Sequence, residues 1–338
     1  MTESLSAQRR RRMLITALGA DIAQAMADPA VVEIMVNPDG ALRLDRLGEG
    51  RTETGRHLPC EQVERIIRLV ASHARAEVHA AWPIVSAELP PHAEGRAGER
   101  FEGVLPPVSR APCFSIRKPA QRLHTLGDYV ADGLMSETVA GVLRTAVSAR
   151  HNILVAGGTS SGKTTLANAL LAEMAPGDAG GNADGDARVI LIEDTRELQC
   201  PLPDTVALRT RPPHVTMTDL VRSTLRLRPD RIIVGEVRGP EALDMLKAWN
   251  TGHPGGVATI HANSAAGALT RLEQLCQEAV LTVPRALIAE AIDVVVFIAG
   301  RGIDRRVATV AQVTGLAPQT GHYELTDLIH PRIEEKCS

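Results

Sequence analysis

Asn152-Ile153-Leu154-Val155-Ala156-Gly157-Gly158-Thr159-Ser160-Ser161-Gly162-Lys163-Thr164-Thr165 runs from an apolar strand pattern through a glycine-rich turn into a helical pattern. Ile153 to Ala156 has the length and composition of a strand buried on both faces, and Leu166 to Met174 carries the apolar spacing of a helix. The spacing Gly157-x-x-x-x-Gly162-Lys163-Thr164 is the Walker A form. In it, backbone N–H groups and the positive end of the following helix wrap a nucleotide's phosphates. Each residue type has a mechanical reason. Glycine admits the phosphates without a Cβ in the way. The Lys163 ammonium spans the β- and γ-phosphates, and the Thr164 hydroxyl is a Mg²⁺ ligand. The predicted nucleotide-binding residues are therefore Gly157, Gly158, Thr159, Ser160, Ser161, Gly162, Lys163, Thr164 and Thr165.

Downstream of this loop, helical patterns alternate with apolar runs at 189–193, 206–210, 232–234 and 257–260. That alternation predicts an α/β fold with a mostly parallel sheet covered by helices on both faces. Runs at 293–298, 306–313 and 323–328 add closing strands. In a parallel sheet the strand tips lie beside the phosphate loop, so the residues at those tips are the next candidates. The first tip reads Leu191-Ile192-Glu193-Asp194-Thr195-Arg196-Glu197, with Glu193, Asp194 and Glu197 placed to order the metal and its water shell. The second reads Ile232-Ile233-Val234-Gly235-Glu236 and has Walker B character, with Glu236 where a water-activating base belongs and Gly235 where many such motifs carry an aspartate. The third, Val257 to Ile260, ends in His261 and is preceded by Thr251-Gly252-His253-Pro254-Gly255-Gly256. Both histidines are expected on the edge of the cradle, His261 against the γ-phosphate and His253 through its loop; the competing reading for each is a packing residue. Residues 176–187, rich in glycine and aspartate, read as a mobile surface loop.

Upstream, Leu14, Leu18, Ile22 and Met26 mark an amphipathic helix, Val31–Val36 and Ala41–Asp45 a hairpin, and Glu61–Ala74 a second helix. With the short strands between Trp82 and Pro119 they form a smaller α+β domain over residues 1–120; 121–136 reads as an ordered connector and 137–338 as the nucleotide-binding domain. At 338 residues the chain has room for both. A formal charge of −3 gives no global basic field, and an aromatic content of 2% argues against a base-stacking channel, so no sequence-specific nucleic-acid contact is expected. Five scattered cysteines without a C-x-x-C pair suit a reducing compartment rather than a disulfide frame or zinc site. No apolar stretch reaches the roughly 18 residues that span a bilayer. Arg9-Arg10-Arg11-Arg12 is either a solvated basic end or a contact for anionic lipid.

The ordered set GGTSSGKTT, LIEDTREL, LRLRPDRIIVGEVRG and TGHPGGVATIHANS, within residues 157–264, resembles the Walker A, Asp, Walker B and His boxes of the secretion ATPases of type II and type IV systems. The compact N-terminal part, and the lack of a paired-cysteine insertion, are similar to the VirB11 branch. The resemblance implies a RecA-like P-loop ATPase domain, ATP and Mg²⁺ as cofactors, a homohexameric ring, and a cytoplasmic location at the inner membrane beside the secretion channel components. It also implies that arginines of the N-terminal domain reach the phosphates; the matching positions are Arg100, Arg110 and Arg117, which composition alone would leave as solvated surface residues. A pilus assembly or retraction ATPase of the same superfamily is the nearest rival, and a nucleic-acid translocase the rival from another class.

Overall fold

The computed structural model describes residues 5–90, 98–119, 123–175 and 185–329, so most of the predicted loop at 176–187 lies outside the described residues. The chain divides into two compact units, Met1–Gln121 and Arg122–Ser338.

In the first unit the order is α1 (Leu5–Ala27), β1 (Val31–Val36), β2 (Ala41–Arg46), β3 (Gly50–His57), α2 (Cys60–Ala74), β4 (Ile84–Glu88), β5 (Arg100–Val104) and β6 (Cys113–Arg117). The strands pair antiparallel in the order β3-β2-β1-β6-β5-β4. The apolar faces of α1 and α2 close a core in which Leu14, Leu18, Ile22, Val63, Ile66, Ile67, Phe101 and Ile116 are buried. Gly19 (φ 79, ψ 173) interrupts α1, a break the smooth apolar spacing did not announce. No helix among the described residues is long and apolar enough to cross a membrane.

The second unit runs α3 (Leu126–Ala131), α4 (Glu137–Ser148), β7 (Ile153–Gly157), α5 (Lys163–Ala172), β8 (Val189–Glu193), β9 (Thr205–Arg209), α6 (Met217–Thr224), β10 (Arg231–Val237), α7 (Glu241–Asn250), β11 (Val257–His261), α8 (Ala265–Gln277), α9 (Arg285–Ala291), β12 (Val294–Ala299), β13 (Arg306–Leu316) and β14 (Tyr323–Asp327). Its sheet order is β14-β13-β12-β7-β11-β10-β8-β9; strands β12 to β9 in that order are parallel, and β13 and β14 turn back antiparallel. All five residues of β7 are buried, as a central parallel strand requires. Its side chains alternate between two cores. Leu154 and Ala156 face α6, α7, α8 and α9, while Ile153 and Val155 face α3, α4 and α5. Burying each such large aliphatic side chain contributes about 1.5–3 kcal/mol, so the strand that carries the phosphate loop is anchored from both faces. This is the α/β architecture, preceded by a smaller α+β unit, that the alternation of patterns predicts. Within the stretch read as a connector, Thr125 caps α3 through a reciprocal pair with Asp128, and Leu126 and Tyr129 are wholly buried against α4 and α5.

Candidate active site

The parallel strands all deliver their C-terminal ends to one edge, where β7 turns through Gly158–Ser161 into α5. Ser160 (φ 60) and Gly162 (φ 91) take left-handed backbone conformations. Gly162 is confined twice over, since a Cβ there would also come to 2.7 Å from Arg305 Nη1. Helices α3, α4, α6 and α8 each begin with a hydroxyl, Thr125, Ser136, Thr216 and Ser264, that accepts a first-turn N–H. Helix α5 begins at Gly162 with no such side chain, as α7 and α9 do at Pro240 and Pro284; what sets α5 apart is the glycine loop that presents its first-turn N–H groups at the strand edge, the arrangement that binds anions. Thr159 and Ser160 are exposed at the loop tip, and Thr164 and Thr165 are half-buried on the first turn. Ser161 is buried with its hydroxyl unpartnered, packed under Gly157, where a Cβ would meet Ser161 Oγ at 2.5 Å.

Lys163 is folded into this loop and only 7% exposed. Its Nζ donates to Gly158 O at 3.0 Å, lies 3.3 and 3.4 Å from the two ring nitrogens of His261, and stands 3.9 Å from Glu236 Oε1. His261 Nε2 is 2.8 Å from the same Glu236 oxygen. Burial, reinforced by the charge of Lys163, holds the His261 pKa below its ordinary value. The shift favours the neutral ring over the imidazolium, against the opposing pull of the Glu236 carboxylate. Lysine, imidazole and carboxylate form one contiguous group at the tips of β7, β11 and β10.

Glu193, 4% exposed at the tip of β8, accepts N–H bonds from Glu197 (2.8 Å) and Leu198 (2.7 Å) on one oxygen. Burial outweighs those bonds and pushes its pKa up to about 7. It also accounts for Gly235: a Cβ at that position would press on Glu193 Cγ at 3.1 Å, so the volume an aspartate would take is filled from the neighbouring strand. Asp194 is exposed beside it, with Oδ1 accepting from Thr210 Oγ1 at 2.9 Å. Glu197 is tied by its backbone, the carbonyl accepting from Asn168 Nδ2 at 2.9 Å. Among the described residues no three His, Cys, Asp or Glu side chains converge as a metal cage. Thr164 offers a hydroxyl of the kind Mg²⁺ takes beside phosphate and water, while Asp194, at the tip of β8 three strands from β7, is placed for the ion's water shell rather than for direct ligation.

Two groups of expected residues stand differently. His253 lies at the opposite edge: its loop enters β11 rather than leaving it, and Nδ1 is 3.0 Å from Pro229 O, just ahead of β10. A residue that precedes a parallel strand cannot share the edge of one that follows it, so within this chain His253 is a packing residue and not a cradle contact. Arg100 and Arg117 are directly opposed on β5 and β6, while exposed Arg110 sits in the connecting turn at the far end of that hairpin. Four residues of strand, roughly 13 Å, separate the pair from Arg110, so the three do not form one cluster.

Residues 59–304 match the family described as Type II/IV secretion system protein. The chain belongs to that family. It is 47% identical over 326 residues to the conjugal transfer protein TrbB of Rhizobium radiobacter, an alignment covering 96% of this chain and 97% of that protein. It is 36% identical over 325 residues to the type IV secretion system protein PtlH of Bordetella pertussis, covering 85% and 91%. The pilus retraction motor PilT, solved with bound ADP, shares the fold at a TM-score of 0.58 and 16% identity over 91% of this chain and 81% of that one. In this member of the secretion family two arginines escaped the sequence reading. Arg238 touches Glu236 through Nη2 and has Nη1 3.8 Å from Asp194 Oδ2. Arg305 lies over the Tyr129 ring, 5.7 Å from its centroid, and against Gly162. The signals were present: Arg238 directly follows β10 beside the strand-end carboxylate, and the turn leaving β12, parallel to β7, must return at the cradle's edge.

Proposed function

We propose that this chain is an ATP-hydrolysing motor subunit of a type IV secretion or conjugative transfer system, working as a homohexamer in the cytoplasm at the face of the inner membrane beside the channel components. The observation that carries the reading is the convergence, at one sheet edge, of the uncapped start of α5, Lys163, His261 and Glu236. Lys163 and the loop amides of Gly157–Thr165 hold the phosphates, with Thr164 as an oxygen ligand of Mg²⁺ and Asp194 ordering its water shell. Mg²⁺, when bound, neutralises charge on the phosphate oxygens. Glu236 takes a proton from water as the water oxygen bonds to the γ-phosphorus and the bond to the β–γ bridging oxygen breaks, releasing ADP and inorganic phosphate. Glu193 and Glu197 order the carboxylate edge, His261 links base to lysine, and one of Arg100, Arg110 and Arg117 neutralises charge developing on the γ-phosphate.

Conjugative transfer is favoured over the pilus reading because the likeness to TrbB runs along almost the whole chain at 47% identity, whereas that to PilT, at 16%, is one of fold. For the membrane contact, Arg9, Arg12 and Arg65 line, with Met13, Thr16, Ala17 and Leu69, an open pocket of about 430 Å³, a combination of cations and apolar surface that suits an anionic lipid headgroup. Co-sedimentation with anionic but not zwitterionic vesicles is the result expected.

Phosphate release and fluorescent-nucleotide binding test the core of the reading. Lys163→Ala is expected to abolish binding, and Glu236→Gln to bind ATP with turnover reduced by about 10²–10⁴. Wild-type turnover in Glu236→Gln would remove it as the base. A strictly monomeric mass by light scattering with a non-hydrolysable ATP analogue would remove the ring.

A further inference from the structure

Strand β10 ends at Val237, and Arg238, the first residue beyond it, turns its side chain back against Glu236. The backbone beyond the strand is anchored, because Glu241 Oε1 accepts N–H bonds from Arg238 (2.7 Å) and Gly239 (2.9 Å). The Arg238 side chain, by contrast, is half exposed, at 50%. Packing does not hold it; charge does. Its Nη2 lies against Glu236 Oε2, while Nη1 is 3.8 Å from Asp194 on β8. Glu236 is thus gripped from both sides, with Oε1 facing His261 Nε2 at 2.8 Å and Lys163 at 3.9 Å, and Oε2 facing Arg238. Each contact restrains a different oxygen, so together they set the plane of the carboxylate. The same guanidinium also lies between Asp194 and Glu236, whose charges would otherwise repel across neighbouring strand tips.

We infer that Arg238 is a positioning residue for hydrolysis: by holding Glu236 Oε2 it keeps Oε1 turned toward the phosphate cradle, and it acts through Glu236 without touching the nucleotide. This rests on the ATPase reading above. Two other roles make different predictions. An exposed ion pair that matters little would leave turnover unchanged, and an arginine bound to phosphate would lose nucleotide affinity along with turnover.

The full-length protein with Arg238→Ala and Arg238→Lys separates them. We expect Arg238→Ala to lower kcat by about tenfold to a hundredfold, a fraction of what a general base supplies, with Kd for Mg–ATP changed by less than about threefold. Added methylguanidinium at millimolar concentration is expected to recover part of the lost kcat in Arg238→Ala and none in Glu236→Gln, and Arg238→Lys to retain more activity than Arg238→Ala. Unchanged kcat, a rise in Kd that matches the fall in kcat, or a lowered melting temperature in both variants with no chemical rescue would each overturn the assignment. A wild-type protein without ATP turnover would instead overturn the ATPase reading and this inference with it; an active wild type alongside an unaffected Arg238→Ala overturns only the inference.

Discussion

At the scale of the residue, Glu193 has the most direct consequence. Its carboxyl is raised from 4.5 to about 7 by burial. Below about pH 4.5 both folded and unfolded chains hold the proton; between there and about pH 7 the unfolded chain releases it and the folded one does not. Folded stability therefore falls as pH rises through that window, by an amount on the order of 3 kcal/mol at its upper end. Glu193→Gln keeps an oxygen for the N–H groups of Glu197 and Leu198 and cannot ionise. In metal- and nucleotide-free buffer, urea unfolding is expected to show this variant gaining on the wild type between pH 5 and pH 8. An equal difference at both pH values would mean that Glu193 titrates normally. Residue identity announced Glu193, Asp194, Glu236 and His261 as a site, because each follows an apolar strand. The raised pKa was not readable, since it comes from how deeply the tip of β8 sits under Gly235.

At the scale of the element, the opposite edge of the sheet is held by polar stitching. Buried Asn152, entering β7, accepts from Gly256 N at 2.9 Å and donates to Ala291 O at 2.8 Å, while its own N–H donates to Asp293 Oδ2 at 2.7 Å. Arg231, wholly buried, donates to Val147 O and Gly255 O. Asn152→Ala strips a partner from two buried backbone groups at about 1–3 kcal/mol each. We expect a lower melting temperature with kcat per folded molecule unchanged, because the cradle lies a strand length away. A loss of kcat with normal stability would show that the two edges are coupled. Strand boundaries in this unit were legible to within a few residues from apolar runs alone. Strand β3 was not: its sequence, Gly50 to His57, is polar and mostly exposed, and it is a strand because β2 offers it an edge. The misplacement of His253 has a similar origin, since a sequence shows that a loop adjoins a strand more readily than which end of the sheet that loop occupies.

At the scale of the molecule, the two units have separate cores, and the boundary between them bears on where the chain can be cut. A fragment starting at Leu123 keeps Leu126 and Tyr129 in the core of the second unit; one starting at Glu137 removes both. By area burial the shorter fragment should lose on the order of 4 kcal/mol, along with the ring on which Arg305 lies beside Gly162. The longer fragment is expected to melt cooperatively and bind ATP, and, on the role proposed for the arginines of the first unit, to have a kcat far below that of the full chain. Full activity in that fragment would make the first unit dispensable for chemistry.

The strand order carries one more consequence. Neighbouring strands are spaced about 4.8 Å apart, and His261, Glu236 and Glu193 stand at the tips of the first, second and third strands counted from β7. The edge of the sheet is therefore a row of fixed stations: His261 and Glu236 occupy adjacent ones and meet at 2.8 Å, whereas Glu193, one station further on, is kept from His261 by the strand between them.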